Sequence, residues 1–242
     1  LPQIWDGHPY FSFSSSVDKR VSTYKIFHGK EALFYVLIGM LLLFALLRAA
    51  FAKYVSDLFR VFFRTTMKQR QIRDQLMQAP LPSMMFNLFF VATGGLYLTF
   101  LLFSYFQFKP VSDFWLFYLY AVAALVVIYT VKYVALKVVG WIFSVVDAAD
   151  SYIFIVFIIN KVIGIYLLPF LILLAFASDP VYSTALILSW IGLGCLYVYR
   201  FVLGMAAARS EVKFNPFHFL IFVAAFEVAP LYLLYKLLLL RV

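Results

Sequence analysis

The apolar residues of this chain fall into runs of about twenty, the length that crosses ~30 Å of hydrocarbon as an α-helix. Two examples are IFIVFIINKVIGIYLLPF and FHFLIFVAAFEVAPLYLL, each apolar along nearly its whole length. Transmembrane β-strands alternate over about ten residues instead, so a barrel is disfavoured. Composition agrees: 65% of the 242 residues are hydrophobic and 13% charged, too little polar surface for a soluble domain of this size. The pattern predicts an all-α fold, a polytopic transmembrane helix bundle.

Six spans are read, over 32–50, 82–106, 114–133, 151–177, 181–207 and 217–240. Short connectors at 108–113 and 178–180 force neighbouring spans to be antiparallel. The stretch 134–146 is apolar as well. It either extends the third span or lies flat at the interface, and seven spans is the main alternative. Residues 1–31 form an outward-facing segment ahead of a helical domain over 32–242. The leading Leu1 is not a translation start, so either a signal peptide has been removed or an upstream segment is missing. Trp5, Tyr10 and Phe11 suit the headgroup level.

Charge bias sets the orientation. One side receives Arg48, Lys53, Arg60, Arg64, Lys68, Arg70, Arg73, Lys132, Lys137, Arg200, Arg209 and Lys213. The other receives Lys19, Arg20, Lys25, Lys30, Lys109, Lys236 and Arg241. The more basic side is expected in the cytoplasm, with both termini outside. Residues 51–80 then form a cytoplasmic, basic, amphipathic segment. Phe51, Tyr54, Val55, Leu58 and Phe62 share one helical face, and Lys53, Asp57, Arg60 and Arg64 the other. Such a helix is expected in the interface, its apolar face in acyl chains. The simpler reading is an interfacial anchor. The functional one is a platform where Arg60, Arg64, Arg200 or His218 meets a lipid headgroup or a partner.

Two ionisable residues stand inside the runs, Lys161 and Glu227. Each is ten residues beyond its span start, so at ~1.5 Å per residue both lie ~15 Å deep. A mid-bilayer charge costs roughly 2.5–3.5 kcal/mol on insertion scales and rarely faces lipid. That shared depth makes an ion pair between the fourth and sixth spans geometrically feasible, with Asn160 as an alternative partner for Glu227. The simpler role is to fix helix register; the functional roles are an ion relay or a headgroup contact. Pro169 and Pro230 each remove an N–H within a span and are expected to kink it. Gly94, Gly95, Gly192 and Gly194 are read as packing positions.

The sequence points to no cofactor or metal and to no catalytic residue. His8, His28 and His218 are not placed to hold haem between helices. Ser189 lacks a protease-like glycine setting and a histidine base. No glycine loop for phosphate is present, and no acidic cluster for a divalent ion. Asp147 and Asp150 read as a helix start.

The segments INKVIGIYLLPF and FHFLIFVAAFEVAPLYLLYK resemble a Bacteroidota membrane-protein family defined only as domain of unknown function 4271. The likeness rests on Asn160, Gly164, Leu167, Leu168 and Pro169 in one helix. In the other it rests on Phe217, His218, Phe219, Glu227, Ala229, Pro230, Tyr235 and Lys236. Ala225 stands where the family often has cysteine, and the outer N-terminal segment is long for it. The resemblance implies a bacterial inner membrane and no particular activity. The leading expectation is a non-enzymatic subunit or accessory protein of a membrane assembly, contacting lipids and membrane-protein partners and no nucleic acid. The alternative is a small transporter or lipid-handling protein with a midplane polar site around Glu227.

Overall fold

The computed structural model describes residues 30–63, 76, 78–105, 113–142 and 146–211. Six α-helices occur there: α1 (Lys30–Ala50), α2 (Ala52–Phe63), α3 (Pro80–Thr99), α4 (Phe114–Ile142), α5 (Val146–Phe176) and α6 (Asp179–Glu211). All but α2 are long and apolar enough to cross a membrane, as in a multi-pass membrane protein. The sixth span read at 217–240, and the segments 1–29 and 64–75, lie outside the described residues.

Local chemistry explains the helix ends. Glu31 opens α1 and Arg48 closes it, each complementing the helix dipole. Pro80 and Pro82 sit in the first turn of α3, where an N–H would have no intrahelical acceptor. That helix ends in a π-helical turn, Phe100–Tyr105. Asp147 lies in the first turn of α5, the helix start expected of it, and Asp150 pairs with Lys137 of α4 at 2.6 Å. The apolar stretch from 134 continues α4 as far as Ile142. Pro169 lies inside α5, exposed, and the helix runs on past it to Phe176.

The bundle has an inside and an outside that hydropathy does not reveal. More than half of the apolar window is buried in α3 (56%) and α5 (61%), against 6% in α4 and 17% in α1 and α6. Thus α3 and α5 form the centre, with α4 and α6 packed on them and α1 making a smaller contact with both. Phe86, Phe89, Leu96, Ile159 and Leu171 fill the core completely. Two small residues bring the backbones together. A Cβ on Gly164 would stand 2.8 Å from the Cα of Phe90, and one on Gly95 2.6 Å from Val122 Cγ2 of α4. Gly94 meets Leu125 and Gly192 meets the Tyr166 ring, so both are also packing positions, whereas Gly194 has open space beside it.

The register of α3 and α5 sets the depth of everything else. With Gly164 beside Phe90, Pro80 is level with Phe154, so α5 starts eight residues further out, ~12 Å. Helices α4, α5 and α6 have 29, 31 and 33 residues. At 1.5 Å per residue they measure ~43–50 Å and exceed the ~30 Å hydrocarbon layer. A small second core of Leu136, Tyr152, Ile153 and Val156 lies toward this extended end.

Candidate functional site

Helix α2 has only twelve residues, too few for stability by itself. What holds it is the apolar face read from the sequence: Tyr54, Val55, Leu58 and Phe62 are all buried. They join the main core of the bundle, so this face is covered by protein and not by acyl chains. Lys53 and Arg60 remain exposed on the other face, Arg60 lying 3.6 Å from Asp57.

Lys161 is buried under α2, 3% exposed. Its ammonium donates to the Tyr54 hydroxyl and to the Ser83 hydroxyl, both at 2.8 Å. It also stands 5.5 Å from the centre of the Tyr54 ring, which stacks on Phe86 at 5.8 Å. One side chain therefore ties α5 to α2 and to the first turn of α3. Burial pushes the Tyr54 phenol above its ordinary range, with a hydrogen bond to Ser83 pulling back less strongly. Tyr54 thus stays neutral and serves Lys161 as an acceptor and not as a counter-ion.

The α3–α5 register sets the level of this charge in the bundle. A helical side chain leans toward its own N-terminus, and a lysine stem can carry its charge several ångström along. At the α3–α5 register the Lys161 backbone is level with Asn87, yet its ammonium reaches back to Ser83. Ser83 is three residues, ~4.5 Å, from the start of α3. Relative to α3 the charge therefore lies close to the helix start, while α5 projects ~12 Å further.

The far end of α2 is held as well. The Tyr199 hydroxyl of α6 donates to the Phe62 carbonyl, one of the terminal carbonyls a helix leaves unpaired, and the two rings meet edge to face at 5.0 Å. From Tyr54 to Phe62 α2 crosses from the α3–α5 pair to α6. Between the α1–α2 turn and the start of α3 lies a cleft of about 340 Å³, lined by Ala50–Tyr54, Asp57, Leu76, Ala79 and Pro82.

Asn160 points elsewhere. It is 1% exposed and accepts from the Tyr129 hydroxyl of α4 at 3.3 Å. Tyr129 also interacts with Tyr197 and Arg200 of α6. Arg200 is 1% exposed, its guanidinium 5.7 Å from the centre of the Tyr197 ring. Asn160 and Lys161, neighbours in sequence, thus serve different faces of α5, about 100° apart. Ser189 is fully buried and structural: it donates to the Leu186 carbonyl at 2.7 Å, which leaves Tyr97 as donor in their 2.7 Å contact.

Of the residues singled out in the sequence, Lys161, Asn160, Arg200, Arg60 and Pro169 have the places just given. Arg64, His218, Glu227 and Pro230 lie outside the described residues, and so does any pairing of Lys161 with Glu227. Among the described residues no three His, Cys, Asp or Glu side chains cluster as metal ligands would. The sequence reading missed Ser83, Tyr129 and Tyr199, and it took Tyr54 only as part of an apolar face. None of these residues has a local signal, since their partners are 31 to 137 residues away.

No curated protein and no solved structure matches the chain. A family model described as Domain of unknown function (DUF4271) matches residues 33–238. That match covers all of the described helices except the first three residues of α1, together with the segment bearing Glu227, and the chain belongs to this family.

Proposed function

We propose that the protein is a non-enzymatic integral subunit or accessory protein of a bacterial inner-membrane assembly. One observation carries this reading. The two central helices touch at Gly164 and Phe90, and the space between them is filled by side chains with no exposure. A transporter needs a polar path through its centre, and among the described residues the contact between α3 and α5 is closed by Gly164, Phe86, Phe89, Phe90, Ile159 and Leu171. Two of the buried polar groups hold helices to one another, Lys161 serving α2 and α3 and Asn160 serving α4. Meanwhile the outer faces of α4 and α6 remain apolar and exposed, including Leu119, Val127, Val131, Ile187, Ile191 and Val198. Such faces suit lipid and the helices of membrane partners.

In this reading the α2 end faces the cytoplasm, since Arg48, Lys53 and Arg60 are exposed there. With the sixth span read from the sequence at 217–240, both termini lie on the periplasmic side. Helix α2 rests at the interface with its basic face toward water and headgroups and its apolar face on the bundle. Extraction of the full chain in a mild detergent, followed by identification of bound proteins, tests the proposal. A membrane protein recovered in fixed stoichiometry supports it. A chain that purifies alone and carries out solute flux in vesicles sinks it.

A further inference from the structure

The cleft beside the α1–α2 turn is a space that the packing of the bundle leaves open. Its volume of about 340 Å³ falls within the ~300–1,000 Å³ of ordinary small-molecule sites. Its position follows from α1, whose 21 residues span ~31 Å, one hydrocarbon thickness, and end at Ala50 on the cleft wall. The opening is therefore level with the lipid headgroups.

Its chemistry is that of an amphiphile with a negative head. Phe51, Leu76 and Pro82 give apolar walls, and exposed Lys53 stands among them. Asp57, the carboxylate on the wall, is already met by Arg60 at 3.6 Å. Behind the wall residue Tyr54 lies the Lys161 ammonium, held by neutral hydroxyls among the described residues. A free phosphate would leave the apolar walls unused, whereas a phospholipid matches both parts.

We propose that this cleft binds the headgroup phosphate of an anionic membrane phospholipid, with Lys53 on the phosphate and Phe51, Leu76 and Pro82 against the first part of an acyl chain. The assignment is independent of the subunit reading, because it requires no protein partner.

The test uses the full chain in a neutral detergent, with bound lipid counted by native mass spectrometry. Phosphatidylglycerol and phosphatidylcholine of equal acyl chains are compared, with inorganic phosphate as competitor. A cation near a membrane surface contributes ~1 kcal/mol toward an anionic lipid, about fivefold in affinity. Wild type should prefer phosphatidylglycerol by at least that factor. Lys53→Ala should lose about fivefold, and Arg48→Ala, which removes an exposed charge outside the cleft, should keep the preference. Both side chains are exposed, so neither change threatens the fold. Equal phosphatidylglycerol retention by wild type and Lys53→Ala overturns the proposal. So does displacement by inorganic phosphate without preference between the two lipids.

Discussion

Gly164→Ala probes the contact on which the bundle is built. The added methyl would stand 2.8 Å from the Phe90 Cα and 3.2 Å from both the Phe90 Cβ and the Thr93 Oγ1. Carbon atoms prefer ~3.5–4.0 Å, so α3 and α5 must separate by several tenths of an ångström or more. The near atoms are backbone and a fully buried Thr93, which already donates to the Phe89 carbonyl at 2.9 Å and has no room to turn away. Overpacking of this kind costs about 1–3 kcal/mol. Part of that cost is hidden, because Ala is favoured over Gly in a helix by ~1 kcal/mol. Gly194→Ala supplies the correction, since nothing lies within 4 Å of its added methyl. The difference between the two variants isolates the clash and should be about 1–3 kcal/mol, up to roughly a hundredfold in the unfolding constant. Unfolding in mixed micelles with rising dodecyl sulfate, followed by helical circular dichroism, measures it. If Gly164→Ala and Gly194→Ala have the same midpoint, the α3–α5 contact does not support the bundle as argued.

Three further outcomes follow from the polar contacts. Tyr54→Phe removes an acceptor from a buried ammonium and should cost about 1.5–3 kcal/mol, an amount that largely vanishes in a Lys161→Met background; additive costs in the same unfolding assay would refute the coupling. Tyr199→Phe leaves the Phe62 carbonyl without its donor and should lower stability by about 0.5–1.5 kcal/mol while raising protease cleavage on the α2 side; an unchanged cleavage rate counts against the anchoring of α2. Finally, Glu227→Gln should impair accumulation in the membrane more than Glu227→Gln combined with Lys161→Met, as loss of one partner strands the other; equal levels on immunoblots would sink a Lys161–Glu227 pair.

What the sequence reveals here follows from the solvent. Run length locates the spans, because lipid demands ~20 apolar residues wherever a helix crosses. It does not say which helix is central, because a protein interior and a bilayer are equally apolar. Mean hydropathy is 2.1 for α4 and 2.3 for α5, yet their windows are 6% and 61% buried. The usable signal was small and polar residues: Gly95, Gly164, Thr93 and Asn160 all point inward. For α2 the period of its pattern was enough, since Tyr54, Val55, Leu58 and Phe62 are the residues it buries. What covers them was not legible, because an apolar face fits acyl chains and a protein core alike. Lys161 stood out as a charge in an apolar run, but its hydroxyl partners are 78 and 107 residues distant in sequence, and hydroxyl residues are common.

The clasp on α2 has a consequence for how the protein is made. A ribosome adds ~5–20 residues per second, so Tyr54 is synthesised ~5–20 s before the lysine 107 residues later that will hold it. Tyr199, which secures the other end, comes later still, 137 residues after Phe62. Throughout that interval α2 has no finished bundle to lie on, and its apolar face needs another shelter. The membrane interface offers one to a twelve-residue amphipathic helix. The same face therefore suits two shelters, lipid while the later helices are still to be made and protein once α5 and α6 are in place.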